Sequence, residues 1–126
     1  MPRTISTGDA PAAVGAYSQA TTNGDLVFTA GQLPLTPEGE LLDDRPVAEQ
    51  TEQCLENVRA ILESEGLSLS DVLKVSVFLD DIGDFEEMNE VYSGYFDEEP
   101  PARSALEVGH VPKGAALEIE AIAASG

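Results

Sequence analysis

Two charged residues near the carboxyl end of the chain have side chains that can bind and hydrate a small acid. Arg103 lies in the stretch 100–108 (PPARSALEV) and Glu118 in the stretch 117–123 (LEIEAIA). A guanidinium grips a carboxylate with two parallel hydrogen bonds, and a glutamate among apolar neighbours can exchange protons near neutral pH. A purely structural cross-strand ion pair is the alternative interpretation, and on the pattern alone it is the more common one.

Both stretches are predicted to be β-strands, and the segment 109–116 between them is rich in turn residues. We therefore expect the two strands to form a hairpin that turns near Val111 and Pro112. In such a hairpin Arg103 comes close to the register of Glu118, so that the two charges lie side by side on one sheet.

The amino-terminal part of the chain is predicted to add three strands. A short edge strand is expected over 3–6, and strands over 17–21 and 26–30 form a hairpin through the Asn23-Gly24-Asp25 turn. Gly31 follows this hairpin. A glycine at the end of a strand most often marks a bend, and it can also let a ligand or another backbone come close.

The first of two predicted helices is expected to begin at an Asp43 or Asp44 N-cap, with Pro46 in its first turn, and to end at Gly66. Seven positions recur with a period of 3.6 residues and form its inward face: Val47, Thr51, Cys54, Leu55, Val58, Ile61 and Leu62. Cys54 is the only cysteine, so no internal disulfide is possible, and we interpret it as a small buried hydrophobe.

A strand predicted over 70–79 precedes the second helix. Alternation along this strand predicts one apolar face, made by Leu73, Val75, Val77 and Leu79. The helix is expected to begin at a capping box of Asp84 and Glu87 and to stop before Pro100. Six of its residues are expected to face the core: Phe85, Met88, Val91, Tyr92, Tyr95 and Phe96.

The order β-β-β-α-β-α-β-β predicts a single α+β domain over residues 1–126, with both helices on one face of the sheet. With 42% hydrophobic residues, a packed core is feasible. No element is left to cover the opposite face of the sheet, so we expect the chain to associate with copies of itself.

The charge balance restricts the possible partners. Twenty-four acidic residues and six basic ones give a formal net charge of −18, which repels phosphate backbones and predicts no nucleic-acid partner. No apolar stretch resembles a membrane span or a signal peptide, so a cytoplasmic location is expected. Dispersed acidic residues with few lysines favour a halophile, and a melting temperature that shows no gain in KCl above about 1 M would count against this hypothesis.

His110 is the only histidine, and it lies in a predicted turn, where a solvated side chain is more common than a catalytic base. The chain has no glycine-rich phosphate loop, no zinc spacing and no acidic residues spaced as metal ligands, so no metal site is predicted.

Five short motifs lie in order between about Thr4 and Ala123: GAYSQ at 15–19, VFTAGQLP at 27–34, MNEVY at 88–92, PARS at 101–104 and EIEAIA at 118–123. Together they resemble the RidA (YjgF) family of reactive intermediate deaminases. The resemblance implies a chorismate-mutase-like fold assembled as a homotrimer, with ligand clefts between subunits. It also implies hydrolysis of enamine and imine intermediates, such as 2-aminoacrylate and 2-iminobutanoate, to 2-oxo acids and ammonia without a cofactor.

The resemblance assigns the substrate carboxylate to Arg103 and the water to Glu118. Further substrate contacts are expected at four positions: Tyr17, Gly31, Asn89 and Ala105. A core tyrosine and an asparagine that caps a turn are the competing interpretations of Tyr17 and Asn89.

The chain departs from the family pattern at three alanines. Ala30 stands where many members have serine, Ala105 where many have cysteine, and Ala16 where proline is common. A thiol mechanism is therefore excluded at Ala105, and the preferred substrate stays open.

Two rival functions remain. A non-catalytic module that binds small acids would use Arg103 in the same way without needing Glu118. An endoribonuclease, an activity also ascribed to some relatives, needs phosphate contacts that the net charge opposes.

Overall fold

The computed structural model describes residues 2–96 and 98–125, so residues 1, 97 and 126 of the predicted domain lie outside the described residues. The strands and helices follow in the predicted order: β1 (Arg3–Ile5), β2 (Ala20–Thr22), β3 (Leu26–Thr29), α1 (Val47–Glu63), β4 (Val72–Leu79), α2 (Phe85–Tyr95), β5 (Ala102–Glu107) and β6 (Leu117–Ala124). Among the described residues, no helix combines the length and the apolar character that a membrane span needs.

The strands form one mixed sheet of six strands in the order β1-β2-β3-β6-β4-β5. β4 and β5 run parallel, and the other neighbouring pairs run antiparallel. Parallel strands need a crossover connection, and α2 supplies it between β4 and β5. Both helices pack on one face of the sheet, which confirms the predicted α+β architecture.

The predicted hairpin of the last two strands is wrong, because β4 lies between β5 and β6. Arg103 on β5 is in register with Val75 of β4, whereas Glu118 on β6 is in register with Phe78. Burial explains this order. The helix-side residues of β6 are all apolar and suit a central strand, while β5 has mostly exposed positions that suit an edge.

The core lies between the sheet and the two helices. Six of the seven predicted inward positions of α1 are buried, and only Val47 at the start of the helix is half-exposed. Cys54 is completely buried, and burial raises the pKa of its thiol well above the usual value, which confirms its interpretation as a small hydrophobe. Burying a large apolar side chain contributes about 1.5–3 kcal/mol, so this face adds substantially to the stability of the fold.

The N-cap predicted for α1 is wrong, whereas Asp84 does occupy the predicted N-cap position of α2 but forms no capping box. Pro46, without a side-chain hydrogen bond, occupies the N-cap position of α1 in place of Asp43 or Asp44. At α2 the N-cap Asp84 makes no side-chain cap, and Glu87 accepts a hydrogen bond from the backbone N–H of Ala48 at 3.0 Å instead. The carboxylate of α2 therefore satisfies a free donor in the first turn of α1, a tertiary contact that sequence spacing does not encode.

An irregularity at the start of β4 changes the predicted face of one residue. The register shifts between Val72 and Lys74, and as a result Val72 is buried while Leu73 is 52% exposed. A β-bulge places two successive residues against one partner, so it reverses the alternation on its amino-terminal side.

The face of the sheet opposite the helices is called the open face here, because no helix of the described chain covers it. Apolar and charged side chains are mixed on it: Leu26, Phe28, Lys74, Ser76, Phe78, Ser104, Leu106, Glu118, Glu120 and Ile122. Phe28 is 46% exposed and Leu106 is 43% exposed.

Candidate active site

Arg103 is held against α2 on the helix side of the edge strand β5. Its Nη1 donates a hydrogen bond to Oδ1 of Asn89 at 2.6 Å. The centre of its guanidinium lies 4.6 Å from the ring centroid of Tyr92 and 5.3 Å from that of Phe85. A cation over aromatic rings gains about 0.5–2 kcal/mol, so three side chains of one helix fix the position of this guanidinium.

The guanidinium of Arg103 has no carboxylate partner among the described residues. The other arginines are all paired: Arg3 with Glu65, Arg45 with Asp44 and Glu49, and Arg59 with Glu56. In a chain with a net charge of −18, an arginine bound only to a neutral amide and two rings keeps N–H donors for an external anion.

A cavity of about 320 Å³ lies beside this guanidinium, and its lining includes Asn89, Ser93 and Pro101. Tyr92 also lines it, and burial raises the pKa of the Tyr92 hydroxyl, an effect that the charge of Arg103 partly offsets. That hydroxyl is buried without a hydrogen-bond partner in the described part of the chain.

Sequence reasoning placed Phe85 and Tyr92 in the core of the fold and missed their contact with Arg103. Phe85, Asn89 and Tyr92 follow one another at intervals of four and three residues, so they share one face of α2. This spacing along one helix face was the sequence signal that could have predicted their shared contact with Arg103. Asn89 lies inside the helix, so its alternative interpretation as a turn cap is wrong.

Glu118 projects from β6 onto the open face and is half-buried. Burial raises the pKa of its carboxyl, and repulsion by the carboxylate of Glu120 raises it further. Among the described residues it forms no salt bridge. A carboxyl with a raised pKa and no bound cation is suited to take up and return a proton.

Gly31 lies directly against the carboxyl of Glu118. The chain passes beside β6 here, since Gln32 and Ile119 exchange backbone hydrogen bonds of 2.7 and 3.0 Å. A Cβ atom at position 31 would lie only 2.6 Å from Cδ of Glu118, so a side chain here would displace the carboxyl. Of the two interpretations of Gly31, the structure shows the close approach.

A second cavity, of about 210 Å³, opens beside Glu118. The remaining lining residues come from β4 and from the loop between β5 and β6: Phe78, Val108, His110, Val111 and Pro112. His110 is exposed, as predicted for a loop histidine, and it also contributes to this wall.

Arg103 and Glu118 do not meet within one chain. Their registers on β4, at Val75 and Phe78, differ by three residues, or roughly 10 Å along the strand, and β4 separates their strands. They also point to opposite faces, because Arg103 contacts α2 whereas Glu118 lies on the open face. The predicted side-by-side arrangement within one hairpin is therefore wrong.

Of the remaining predicted site residues, one lies near Arg103, one lies near Glu118, and Tyr17 lines a different cavity. Ala105 lies two residues after Arg103 on the same face of β5, and Gly31 lies with Glu118. Tyr17 lies in the loop before β2, where it lines a cavity of about 480 Å³ and its hydroxyl accepts a 3.4 Å hydrogen bond from the N–H of Val14. At 55% exposure, Tyr17 is not a core residue.

Comparison with known proteins identifies the family of the chain. The family model described as Endoribonuclease L-PSP matches residues 7–125. A RutC family protein of Pyrococcus horikoshii is 50% identical over 123 residues, which cover 98% of each chain. The chain belongs to this family, known as YjgF/RidA. The resemblance of the five motifs is thereby confirmed.

Other members of the YjgF/RidA family carry a more specific name or a bound molecule. The 2-iminobutanoate/2-iminopropanoate deaminase of Escherichia coli K12 is 45% identical over 127 residues, with 98% of each chain covered. The crystal structure of E. coli TdcF with bound serine superposes with a TM-score of 0.91 at 44% identity, over 98% of this chain and 99% of that one. The chain therefore has the fold of a RidA-type deaminase.

Proposed function

We propose that this RidA family member is a hydrolytic deaminase that converts 2-enamine and 2-imino acids, such as 2-aminoacrylate and 2-iminobutanoate, to 2-oxo acids and ammonia. The observation that carries the proposal is the fixed guanidinium of Arg103, which lacks a carboxylate partner in the described chain. Two relatives support it: one named for this deaminase activity and one with bound serine, itself a small acid with nitrogen on its second carbon.

The active site is completed between the subunits of a homotrimer. A 2-imino acid has its carboxylate bonded directly to the imine carbon, so it cannot contact Arg103 and Glu118 of one chain, which point to opposite faces of the sheet. The exposed apolar residues of the open face, Phe28 and Leu106, supply a surface for association. A head-to-tail contact brings the Arg103 edge of one subunit to the open face of the next, and a rotation that closes gives a ring.

Arg103 binds and orients the substrate. Its planar fork holds the carboxylate with two N–H···O bonds, which fixes the plane of the adjacent imine. Asn89 and the rings of Phe85 and Tyr92 keep the guanidinium in place before the substrate arrives. Tyr17 and Ala105 are assigned as further substrate contacts.

Glu118 of the neighbouring subunit moves the proton. The substrate reacts as the iminium, protonated on nitrogen. The Glu118 carboxylate takes a proton from water as the water oxygen bonds to the iminium carbon, and the electron pair of the C=N double bond moves to nitrogen, which becomes a neutral amine on a tetrahedral carbon. Glu118 then returns the proton to nitrogen and the C–N bond breaks. As ammonia leaves, the C=O bond of the 2-oxo acid forms and the hydroxyl proton passes to the Glu118 carboxylate and on to solvent. An imine carbon is already electrophilic, so this route needs no cofactor. Gly31 leaves the space that the carboxyl occupies.

The test is the release of ammonia and 2-oxobutanoate in a threonine dehydratase reaction, with and without the purified protein. Glu118→Gln should lower kcat by about 10²–10⁴-fold, and Arg103→Ala should raise KM. Arg59→Ala is a matched control, because Arg59 also lies over an aromatic ring of α2 but is paired with Glu56.

The same assay separates the rival functions. If Glu118→Gln binds 2-oxobutanoate and the wild type and the variant release ammonia at the same rate, the protein is a non-catalytic acid-binding module. The family model carries the name endoribonuclease, but the net charge of −18 opposes contacts with phosphate. RNA binding that persists at high salt would favour that activity instead.

A further inference from the structure

We propose that the cavity beside Glu118, lined by Phe78, Val108, His110, Val111 and Pro112, receives the side chain of the substrate. The protein should then prefer imino acids with a branched aliphatic or aromatic side chain to 2-iminopropanoate. This inference rests on the proposed deaminase function, because it places the reacting carbon at Glu118.

The size of the cavity exceeds what the smallest substrates need. At about 30 Å³ per water molecule, its volume of 210 Å³ corresponds to about seven waters. The methyl group of 2-iminopropanoate would leave most of it unfilled. An isobutyl or benzyl group would fill it and remove more apolar surface from water.

The residues of the cavity wall also favour a large apolar side chain in the substrate. Four of the lining residues are apolar, and the polar ones are Glu118 and His110. With the imine carbon next to the Glu118 carboxyl, the apolar wall is left for the side chain of the substrate. His110 is exposed, so its imidazole marks the solvent side of the cavity.

The loop that forms the wall is held at several points. The N–H of Val108 donates to the carbonyl of Leu79 at 2.9 Å, and the N–H of Val111 donates to Oδ1 of Asp80 at 3.4 Å. The backbone of Asp80 is tied in turn to Ala116 by a 2.9 Å hydrogen bond. Val111 is buried. The pocket is therefore formed before a ligand binds, which is usual for small-molecule sites.

The test compares imines generated by an amino-acid oxidase from alanine, leucine and phenylalanine. Each additional buried methylene should raise kcat/KM about fourfold, so the leucine-derived imine should exceed the alanine-derived one by at least about tenfold. Val108→Phe should lower this leucine-to-alanine ratio about tenfold, and Val108→Ala should raise the value for the phenylalanine-derived imine. A lower ratio with a larger side chain at position 108 and a higher kcat/KM with a smaller one cannot both come from a general loss of stability.

Val91→Phe serves as the control, because Val91 is a half-buried valine of α2 outside this cavity. A leucine-to-alanine ratio near one, or a ratio that neither variant of Val108 changes, would overturn the proposal. So would a Val108→Phe protein that loses its trimer at an unchanged ratio, since the cavity would then hold a side chain of a neighbouring subunit.

Calorimetry with 2-oxo acids keeps this test independent of catalysis. Binding of 4-methyl-2-oxopentanoate should be at least about tenfold tighter than binding of pyruvate, and Val108→Phe should reduce the difference. If the protein hydrolyses no imine, the proposed function fails while this binding ratio still decides the role of the cavity.

Discussion

The two faces of β6 differ although they belong to one strand. Toward the helices, Leu117, Ile119, Ala121 and Ala123 are all buried, and they close the core. On the other face, Glu118 is half-buried and Phe28 of the neighbouring strand is 46% exposed. The helix side of the sheet holds the chain together, whereas the open face carries Glu118 and accessible apolar side chains that we propose a second subunit covers.

The largest difference between the two faces should appear in stability. Leu55→Ala removes a fully buried side chain on the helix side and should cost about 2–5 kcal/mol of unfolding free energy, measured by denaturant titration. Its effect should not depend on protein concentration. Phe28→Ala should instead weaken association, so its melting temperature should fall mainly in dilute samples. Equal concentration dependence for both variants would contradict the assignment of the open face to an interface.

Arg103→Lys tests whether the guanidinium on the helix side binds the substrate by its shape as well as its charge. A lysine keeps the charge but cannot bind a carboxylate through two parallel bonds, so kcat/KM should fall about 10–100-fold. The measurement is steady-state hydrolysis of 2-iminobutanoate, with Arg59→Lys as the control. A change smaller than twofold would mean that Arg103 contributes only its charge.

Gly31→Ala tests the position of the carboxyl on the open face. A Cβ atom there would lie 2.6 Å from Cδ of Glu118 and would displace this flexible side chain. We expect kcat to fall about tenfold, with a shifted pH profile and little change in KM. Gly94→Ala is the control, because a Cβ atom at position 94 meets no atom within 4 Å. An unchanged pH profile would indicate that the position of the carboxyl is unimportant.

Glu118→Gln should stabilise the protein, a smaller effect than its loss of activity. Burial raises the pKa of Glu118, so the folded chain binds this proton more tightly than the unfolded chain. The free energy of unfolding therefore decreases as pH rises from the pKa of Glu118 in the unfolded chain to its pKa in the folded chain. Above both values, the buried carboxylate continues to destabilise the folded chain. At pH 8 the melting temperature of the variant should therefore exceed that of the wild type.

The gain from Glu118→Gln should shrink as pH falls through the folded pKa, because the wild-type carboxyl is then also neutral. Glu86→Gln, an exposed residue of α2, should show no such gain. A gain that does not depend on pH would contradict the role of burial.

Local sequence patterns predicted the elements of the fold, its first hairpin and the packing of both helices on one face, but not the order of the last strands. The periodic residues of α1, from Thr51 to Leu62, are buried as expected because one helix face must meet the sheet. The terminal hairpin failed because turn residues between two strands do not reveal that a third strand lies between them. The bulge that exposes Leu73 and the contact of Glu87 with α1 are likewise tertiary effects.

The sequence predicted candidate residues for the site, but not how these residues are arranged in space. Arg103 and Glu118 were chosen for their chemistry and for the family resemblance, and that choice stays a prediction. The distance between them was inferred from an assumed hairpin. That inference is wrong because β4 lies between their two strands. The contact of Phe85 and Tyr92 with Arg103 was not predicted, because aromatic residues at helical spacing usually mark the core.

The central claim is that each active site combines Arg103 of one subunit with Glu118 of another. The most direct test mixes the variants Arg103→Ala and Glu118→Gln in equal amounts, refolds them together and measures deamination of 2-iminobutanoate at a concentration far below KM, where each variant alone should be nearly inactive. Random assembly into rings should restore about a quarter of the wild-type activity, because half of the chains supply each intact residue independently. If both residues act within one chain, every site keeps one defect, and the absence of any recovered activity in the mixed trimers would contradict the account.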